Sequence, residues 1–390
     1  MRGHIKQRAK GSWSIVIDLG RDATGKRKQK WSTIHGTKKE AQAELARLLN
    51  EINTGEYIEP SRMLVSEYLK RWLKDYAEPS VSPKTSERYT QIIRDNINPS
   101  LGQYQISKLK PLHIQSFYTD CLTSGRKDGK GGLSAQTVVH FHRLLRKAFL
   151  QAVKWQLLAR NPVDAVEPPR PQRQEMSVVD EKETAQLLHK LTESPLFVPV
   201  MMAVTTGLRR GEILALRWKD VNLEEGRITV HQSLEQTKAG LRFKSPKTER
   251  SRRQVPLPGV TIDIVRDHKR KQNEDRLRLG PVYQNNDLVF PRADGSPMPP
   301  DSLSTNFAAF IRRSGMKHIR FHDLRHSHAT QLLLQGVHPK IVSERLGHSN
   351  IGITLDTYSH VLPGMQEDAV LKIDASLRLA MQNNAQHLEK

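Results

Sequence analysis

The apolar residues change their spacing twice along the chain, and this limits what it can fold into. Near the start, Trp13, Ile15 and Ile17 alternate with Ser14, Val16 and Asp18, the period of a strand. Gly20 to Gly25 (GRDATG) carries turn chemistry, and Lys28 to Ile34 returns as the second arm of a hairpin. Thr37 with Glu40 forms a capping box. It opens a helix whose face is Ala41, Leu45, Leu48, Leu49 and Ile52, and Gly55 can stop it. From Arg62 to Val166 the spacing is helical. Leu64, Val65, Tyr68, Leu69, Trp72 and Leu73 form one stripe. Pro83 opens a helix with Tyr89, Ile92, Ile93 and Ile97 inward, and Pro111 opens another through Ile114, Phe117, Tyr118 and Leu122. Ser134 caps a long helix with Val138, Phe141, Leu144, Leu145, Phe149 and Val153 inward. Aromatic residues at this spacing are expected in a core rather than stacked on bases.

Glu167 to Met176 (EPPRPQRQEM) holds three prolines and reads as an interdomain linker. Beyond it, Asp180 with Glu183 starts a helix, and Leu196 to Thr205 is an apolar one. Gly226 to Val230 is a strand, and Phe243 to Leu257 reads as two short strands around a basic turn. The last helix is expected from about Met365 to Gln382. No internal repeat is present, which argues against a solenoid. The expected fold is multidomain and mainly α. A three-stranded sheet plus helix occupies 1–57, a helical domain 62–166, a linker 167–176, and a mixed, mostly α domain with a small sheet 177–390.

Charge narrows the function. The 390 residues carry 62 Lys and Arg against 41 Asp and Glu, a net +21. A polyanionic partner gives such an excess a use, through neutralised phosphates and released counterions. Up to Lys39 there are 11 basic and 2 acidic side chains, so the first sheet is the most basic part and suits groove reading by strands. The one cysteine, Cys121, excludes an intrachain disulfide, a four-cysteine zinc site and a CxxC centre, and fits a reducing compartment. The apolar stretch Leu196 to Leu208, about 13 residues, is too short to cross a bilayer. The basic N-terminus has no apolar region after it, so a cytoplasmic location is expected.

Four clusters near the C-terminal end carry chemistry. In Thr206 to Trp218 (TGLRRGEILALRW), Gly207 breaks an apolar helix and leaves Arg209 at a turn, where a planar guanidinium suits two phosphate oxygens. A lysine held on a hairpin, Lys247, could reach a phosphate site, but with Lys244, Arg250, Arg252 and Arg253 beside it the turn reads more readily as a general basic patch. In Phe321 to Thr330 (FHDLRHSHAT), His322 and Arg325 share a helical face, pairing an imidazole with a permanent cation. His322 and His326 also lie at the spacing of zinc peptidase histidines, but Asp323 stands where that motif needs Glu, and no third ligand is nearby. Last, Gly347 ends a helix before His348, and Tyr358 follows ten residues later.

The ordered set TGLRRGE, a hairpin lysine, HDLRH, LGHSN and TY resembles the tyrosine recombinase (phage integrase) family across the third region. The upstream regions resemble the arm-type and core-type DNA-binding domains of integrases from phages and conjugative elements. The resemblance implies an enzyme that cuts and rejoins DNA through a 3′-phosphotyrosyl intermediate, with neither metal nor cofactor. It implies Tyr358 as nucleophile, with Arg209 and Arg325 on the non-bridging oxygens. His322 and His348 add hydrogen bonds, and His322 is the expected acceptor of the phenolic proton. Lys247, or Lys244 close by, is the general acid, and Glu212 orients Arg209 or the lysine. The implied partners are double-stranded DNA at core-type and arm-type sites, three further copies in a tetramer, and DNA-bending or excision accessory proteins, in a bacterial cytoplasm near the nucleoid. The C-terminal helix could dock in cis or on a neighbour. A type IB topoisomerase shares the chemistry, although it needs no second class of site. A non-catalytic DNA-binding regulator would be basic too, but would not need the Arg-Lys-His-Arg-His-Tyr set.

Overall fold

The computed structural model describes residues 3–21, 25–53, 61–172, 178–245 and 252–358, together with helical positions 370, 371, 373–378 and 381. The chain divides into two compact units, Met1–Arg173 and Gln174–Lys390.

In the first unit, β1 (Gly3–Ala9), β2 (Ser12–Arg21) and β3 (Arg27–His35) form an antiparallel sheet with β2 in the centre. Ile15 and Ile17 point to the same face and pack with Leu48 of α1 (Lys38–Asn53), with Ile5, Ile34, Leu45, Leu49 and Ile52 around them. The capping box is formed: Thr37 N donates to Glu40 Oε2 at 2.7 Å, and Glu40 N donates to Thr37 Oγ1 at 3.3 Å. The strand β1 has no clear alternation of its own, because only Ile5 and Ala9 are apolar in GHIKQRA. Gly55 lies outside the described residues.

The helical part holds α2 (Val65–Trp72), α3 (Pro83–Ile92), α4 (Pro111–Ser124) and α5 (Ala135–Lys154). Two of these rods widen into π-helical turns, Leu73–Ala77 and Ile93–Ile97, before short α segments that contain Pro79 and Pro99. Proline clashes with the carbonyl four residues back and lacks an N–H. The rods adapt by shifting one bond to the fifth residue: Glu78 N donates to Leu73 O and Asn98 N to Ile93 O. The aromatic residues are core, as their spacing indicates. Tyr68 and Trp72 are buried, Tyr68 stacks near Phe149, and its hydroxyl donates to Ala148 O at 2.5 Å. On α4 it is Cys121 that turns inward, and Leu122 is exposed.

In the second unit, α6 (Glu181–Leu191), α7 (Phe197–Thr206), α8 (Arg210–Leu214), α9 (Gly259–Leu279), α10 (Pro300–Ser314) and α11 (Asp323–Leu334) enclose one apolar core. A small sheet of β4 (Val221–Asn222), β5 (Arg227–Val230) and β8 (Arg253–Pro256) lies against it, and β6 (Ser233–Thr237) with β7 (Gly240–Lys244) forms a separate hairpin. This corrects the reading of Phe243 to Leu257. Both strands exist, but β7 folds back on β6 and β8 joins β5. The sequence of β6, SLEQT, holds a single apolar residue and gives no strand period. Arg253, Val255 and Leu257 alternate inward, which draws β8 to the core sheet. The basic turn between them, with Lys247, lies outside the described residues. A second, smaller cluster joins α11, α12 (Pro339–Leu346) and α13 (Ile351–Tyr358) through Ala329, Leu333, Val342, Leu346 and Tyr358.

Candidate active site

Two helix ends build the site. Gly207 closes α7 and Gly347 closes α12, both in the left-handed conformation (φ 65° and 67°) that glycine reaches without strain. A side chain at 207 would also meet Leu346 Cδ2 at 2.6 Å and His328 Cδ2 at 2.7 Å. Helix C-termini carry partial negative charge and unpaired carbonyls, so they accept cations. Here they accept two guanidiniums. Arg325 donates to Gly207 O at 2.7 Å and Leu346 O at 2.8 Å. Arg209, the residue before α8, donates to Gly347 O at 3.2 Å.

One carboxylate balances them. Glu212 accepts from the Arg209 backbone and from Arg209 Nη1, each at 2.9 Å, and from Arg253 Nη2 at 2.8 Å. The side chains of Glu212 and Arg253 are each only 6% exposed. Burial works to raise the Glu212 pKa, but the hydrogen bonds and charge of Arg253, with Arg209, outweigh it and hold the carboxyl down to about 2. Burial first, then Arg209, weighs against the charge on Arg325. A guanidinium keeps its proton regardless, so the site holds fixed cations. Arg253 also donates to Arg345 O at 2.7 Å, and Arg345 donates to His328 Nε2 at 3.0 Å and Thr205 O at 2.9 Å.

These groups face a cavity of about 560 Å³, whose walls include Arg209, Glu212, Lys244, His322, Arg325, His326, His348 and Tyr358. Glu212 is the single carboxylate among its described lining residues. His348 Nδ1 lies 2.8 Å from Thr354 Oγ1, which orients the ring. Burial, then Arg325 and Arg209, draws its pKa to about 4, so it is a neutral hydrogen-bonding group at pH 7. Tyr358 ends α13 and is 1% exposed. Burial pushes its phenol up to about 12, with Arg325 pulling the other way.

Five of the six residues singled out in the sequence, Arg209, His322, Arg325, His348 and Tyr358, therefore meet in one cavity; Lys247 lies outside the described residues. Lys244 is close to Glu235 in an ion pair. Glu212 touches Arg209, as expected. Among the described residues no hydrogen bond joins His322 to the phenol. His326 makes one, with Nδ1 2.8 Å from Tyr358 Oη. Sequence reasoning met His326 only as a metal ligand and Arg253 only as part of a basic patch. The period-two pattern Arg253, Val255, Leu257 was the signal that Arg253 points inward. Among the described residues no cluster of metal-ligating side chains occurs.

Three family matches cover the chain. The phage integrase family matches residues 177–364, its N-terminal SAM-like domain 64–122, and an arm DNA-binding domain 5–52. A tyrosine recombinase XerC-like protein of Caldanaerobacter subterraneus subsp. tengcongensis is 31% identical, covering 92% of this chain and 94% of its own. The chain belongs to the phage integrase family. It is a tyrosine recombinase of the kind found in mobile elements. The ICEBs1 integrase of Bacillus subtilis is 28% identical, over 95% of the recombinase and 99% of its own length. The Tn1549 transposon integrase, solved with a circular intermediate DNA, shares the fold at TM-score 0.68 and 19% identity, over 80% of this recombinase and 99% of that chain. Lambda integrase, solved as a tetramer on a Holliday junction, shares it at TM-score 0.55 and 18% identity, over 90% and 94%. No helix among the recombinase's described residues is long and apolar enough to cross a membrane.

The recombinase's histidines make its stability depend on pH. His328 is buried, lies 2.8 Å from Val204 O through Nδ1, and accepts from Arg345 through Nε2. Burial, then Arg345, lowers its pKa from 6.5 to about 4. Between those values the unfolded chain binds the proton and the folded chain does not, so stability is intact above pH 6.5 and falls on the way to pH 4. That span corresponds to about 3 kcal/mol. A urea titration series from pH 7 to pH 4 is expected to show this loss on top of those from His322 and His348, whose pKa values burial also draws to about 4, and His328→Gln should make the fall shallower by about 3 kcal/mol. A His328→Gln series with the wild-type slope would assign the loss elsewhere.

Proposed function

We propose that this chain recombines double-stranded DNA site-specifically, with Tyr358 as the nucleophile. The observation that carries the reading is the convergence of Arg209, His322, Arg325, His348 and Tyr358 on a cavity with a single carboxylate among its described lining residues. A phosphodiester is the group such a site suits. Arg209 and Arg325 would hold its non-bridging oxygens, where charge builds in the transition state. His322 and His348 would add hydrogen bonds. The phenolic oxygen attacks phosphorus, the bond to the 5′ oxygen breaks, and a 3′-phosphotyrosyl ester remains. Lys247 is the proposed acid for the departing 5′ oxygen. The ion pair of Lys244 with Glu235 favours that choice. The ester keeps the bond energy, so a 5′ hydroxyl from a partner strand can reseal without a cofactor.

The remaining assignments belong to the same reading. Residues 1–57 would bind arm-type sites with the sheet face that α1 leaves open, where Trp31 is 58% exposed. Residues 62–166 would bind the core site, and 167–176 would link them to the catalytic residues. Four copies would act together on two duplexes, in the cytoplasm where the DNA lies. The match to an arm DNA-binding domain favours recombination over topoisomerase-like relaxation.

The test is to incubate the full chain with DNA spanning the ends of its mobile element, denature, digest, and sequence both sides of any covalent junction. The expected result is a 3′ phosphate on the peptide containing Tyr358, formed equally well in excess chelator. A junction on another residue, or loss of cleavage in chelator, would overturn the proposal.

A further inference from the structure

Among the described residues the phenol of Tyr358 has one hydrogen-bonding partner, and it is not the histidine of the His-x-x-Arg pair. His326, one turn along α11 from His322, places Nδ1 2.8 Å from Tyr358 Oη, with the ring centroids 5.9 Å apart. His322 meets His326 edge-on at 5.1 Å and makes no side-chain hydrogen bond among the described residues. We propose that His326 is the general base of the cleavage step, taking the phenolic proton as Tyr358 attacks and returning it when the strand is resealed. The inference rests on Tyr358 being the nucleophile.

Three features support it. Hydrogen-bond contact is the geometric requirement for proton transfer, and it is met before DNA arrives. The base is also rigidly placed. It follows Arg325 directly on α11, and Arg325 is bound to two helix-end carbonyls. Base and phosphate-holding cation therefore share one frame. The charge state fits as well. His322, Asp323 and Arg325 on its own helix, Arg320 just before it, and Tyr358 and His348 across the cavity surround His326. Burial is the main influence and lowers its pKa, Asp323 opposes this, and Arg325 and Arg320 add to it. A neutral ring with its proton on Nε2 then offers Nδ1 as acceptor at pH 7. The phenol needs that acceptor, since burial makes its own ionisation harder.

The step balances. The bond between Tyr358 Oη and phosphorus forms, the bond from phosphorus to the 5′ oxygen breaks, and the phenolic proton passes to Nδ1. A separate acid, Lys247 in the proposed reading, supplies the proton to the 5′ oxygen. Resealing reverses each transfer.

The experiment uses the full chain and a suicide duplex built on the mapped core site, made with either oxygen or sulfur at the 5′ bridging position. Sulfur leaves without an acid, so it isolates the attack half of the reaction. The readout is the rate of covalent adduct formation against pH. Wild type is expected to lose rate below a midpoint under 6.5. His326→Asn can still hydrogen-bond the phenol at the Nδ1 position but cannot take its proton. It is expected to be about 100-fold slower or more at pH 7, to lack that acidic limb, to climb with pH into the alkaline range, and to gain nothing from sulfur. His326→Gln should behave the same way, and a wild-type melting curve with wild-type duplex retention certifies each variant. His322→Gln should keep the acidic limb. The proposal is overturned if either His326 variant keeps the wild-type rate or limb, if sulfur restores it, or if His322→Gln alone loses the limb. Adducts formed by Tyr358→Phe would instead overturn the nucleophile assignment.

Discussion

A Tyr358→Phe chain is expected to fold, bind its DNA and form no covalent adduct. The substitution removes one oxygen and little else. The ring sits among Ala329, Leu333, Val342 and Leu346, and Phe keeps those contacts. The lost hydrogen bond to His326 is worth about 1 kcal/mol, too little to unfold a domain. Arg209 and Arg325 are held by main-chain carbonyls and Glu212 rather than by the phenol, so the phosphate-binding frame persists. Electrophoresis of a labelled suicide duplex in detergent reads the outcome. The adduct band should vanish, while a retardation assay at the same concentrations changes by less than about threefold, the equivalent of well under 1 kcal/mol. An adduct with the Phe chain would place the nucleophile elsewhere.

The largest loss of stability is expected at Glu212. This carboxylate stands between Arg209 and Arg253, and removing it takes a buried, doubly hydrogen-bonded counter-charge from the Arg253 guanidinium. Breaking a buried pair from one side costs about 3–5 kcal/mol, a large share of what holds a domain folded. Glu212→Ala should therefore lower the denaturation midpoint of the catalytic unit sharply. Glu212→Gln keeps the size and one acceptor, and should cost less. The wild-type carboxyl, held down to about 2 against 4.5 in the open chain, contributes stability that is complete above pH 4.5 and disappears as the pH falls through 2. Glu212→Gln should remove that acid transition. If Glu212→Ala melts within a degree or two of wild type, Arg253 has another counter-charge and the balance described here is wrong.

The parts of this molecule that were legible in its sequence are those written in local chemistry. Thr37 with Glu40, Asp180 with Glu183, and Ser134 mark helix starts because a cap needs only three or four residues to be recognised. Gly207 and Gly347 mark helix ends for the same reason. The stripe from Val65 to Leu73 and the face of α5 identified the helical core, and the order of the motifs brought Arg209, Arg325 and Tyr358 together. What escaped depends on contacts far apart in the chain. The pairing of β7 with β6 rather than β8 is decided by which strand carries inward apolar residues to the core sheet. The burial of Arg253 depends on Glu212, 41 residues away. The choice between His322 and His326 as the phenol's partner depends on where α13 ends relative to α11, which no local pattern encodes.

The carbonyls of Gly207 and Gly347 serve as sockets for Arg325 and Arg209, and a socket of that kind belongs to the chain trace rather than to any side chain. Only exposed neighbours such as Glu344 and Asn350 can therefore be recoloured while the guanidiniums stay put, because Thr206, Leu208 and Leu346 are buried and His348 lines the cavity. At the two glycines themselves a Cβ would strain the left-handed backbone and press on its neighbours, carrying the socket away with it.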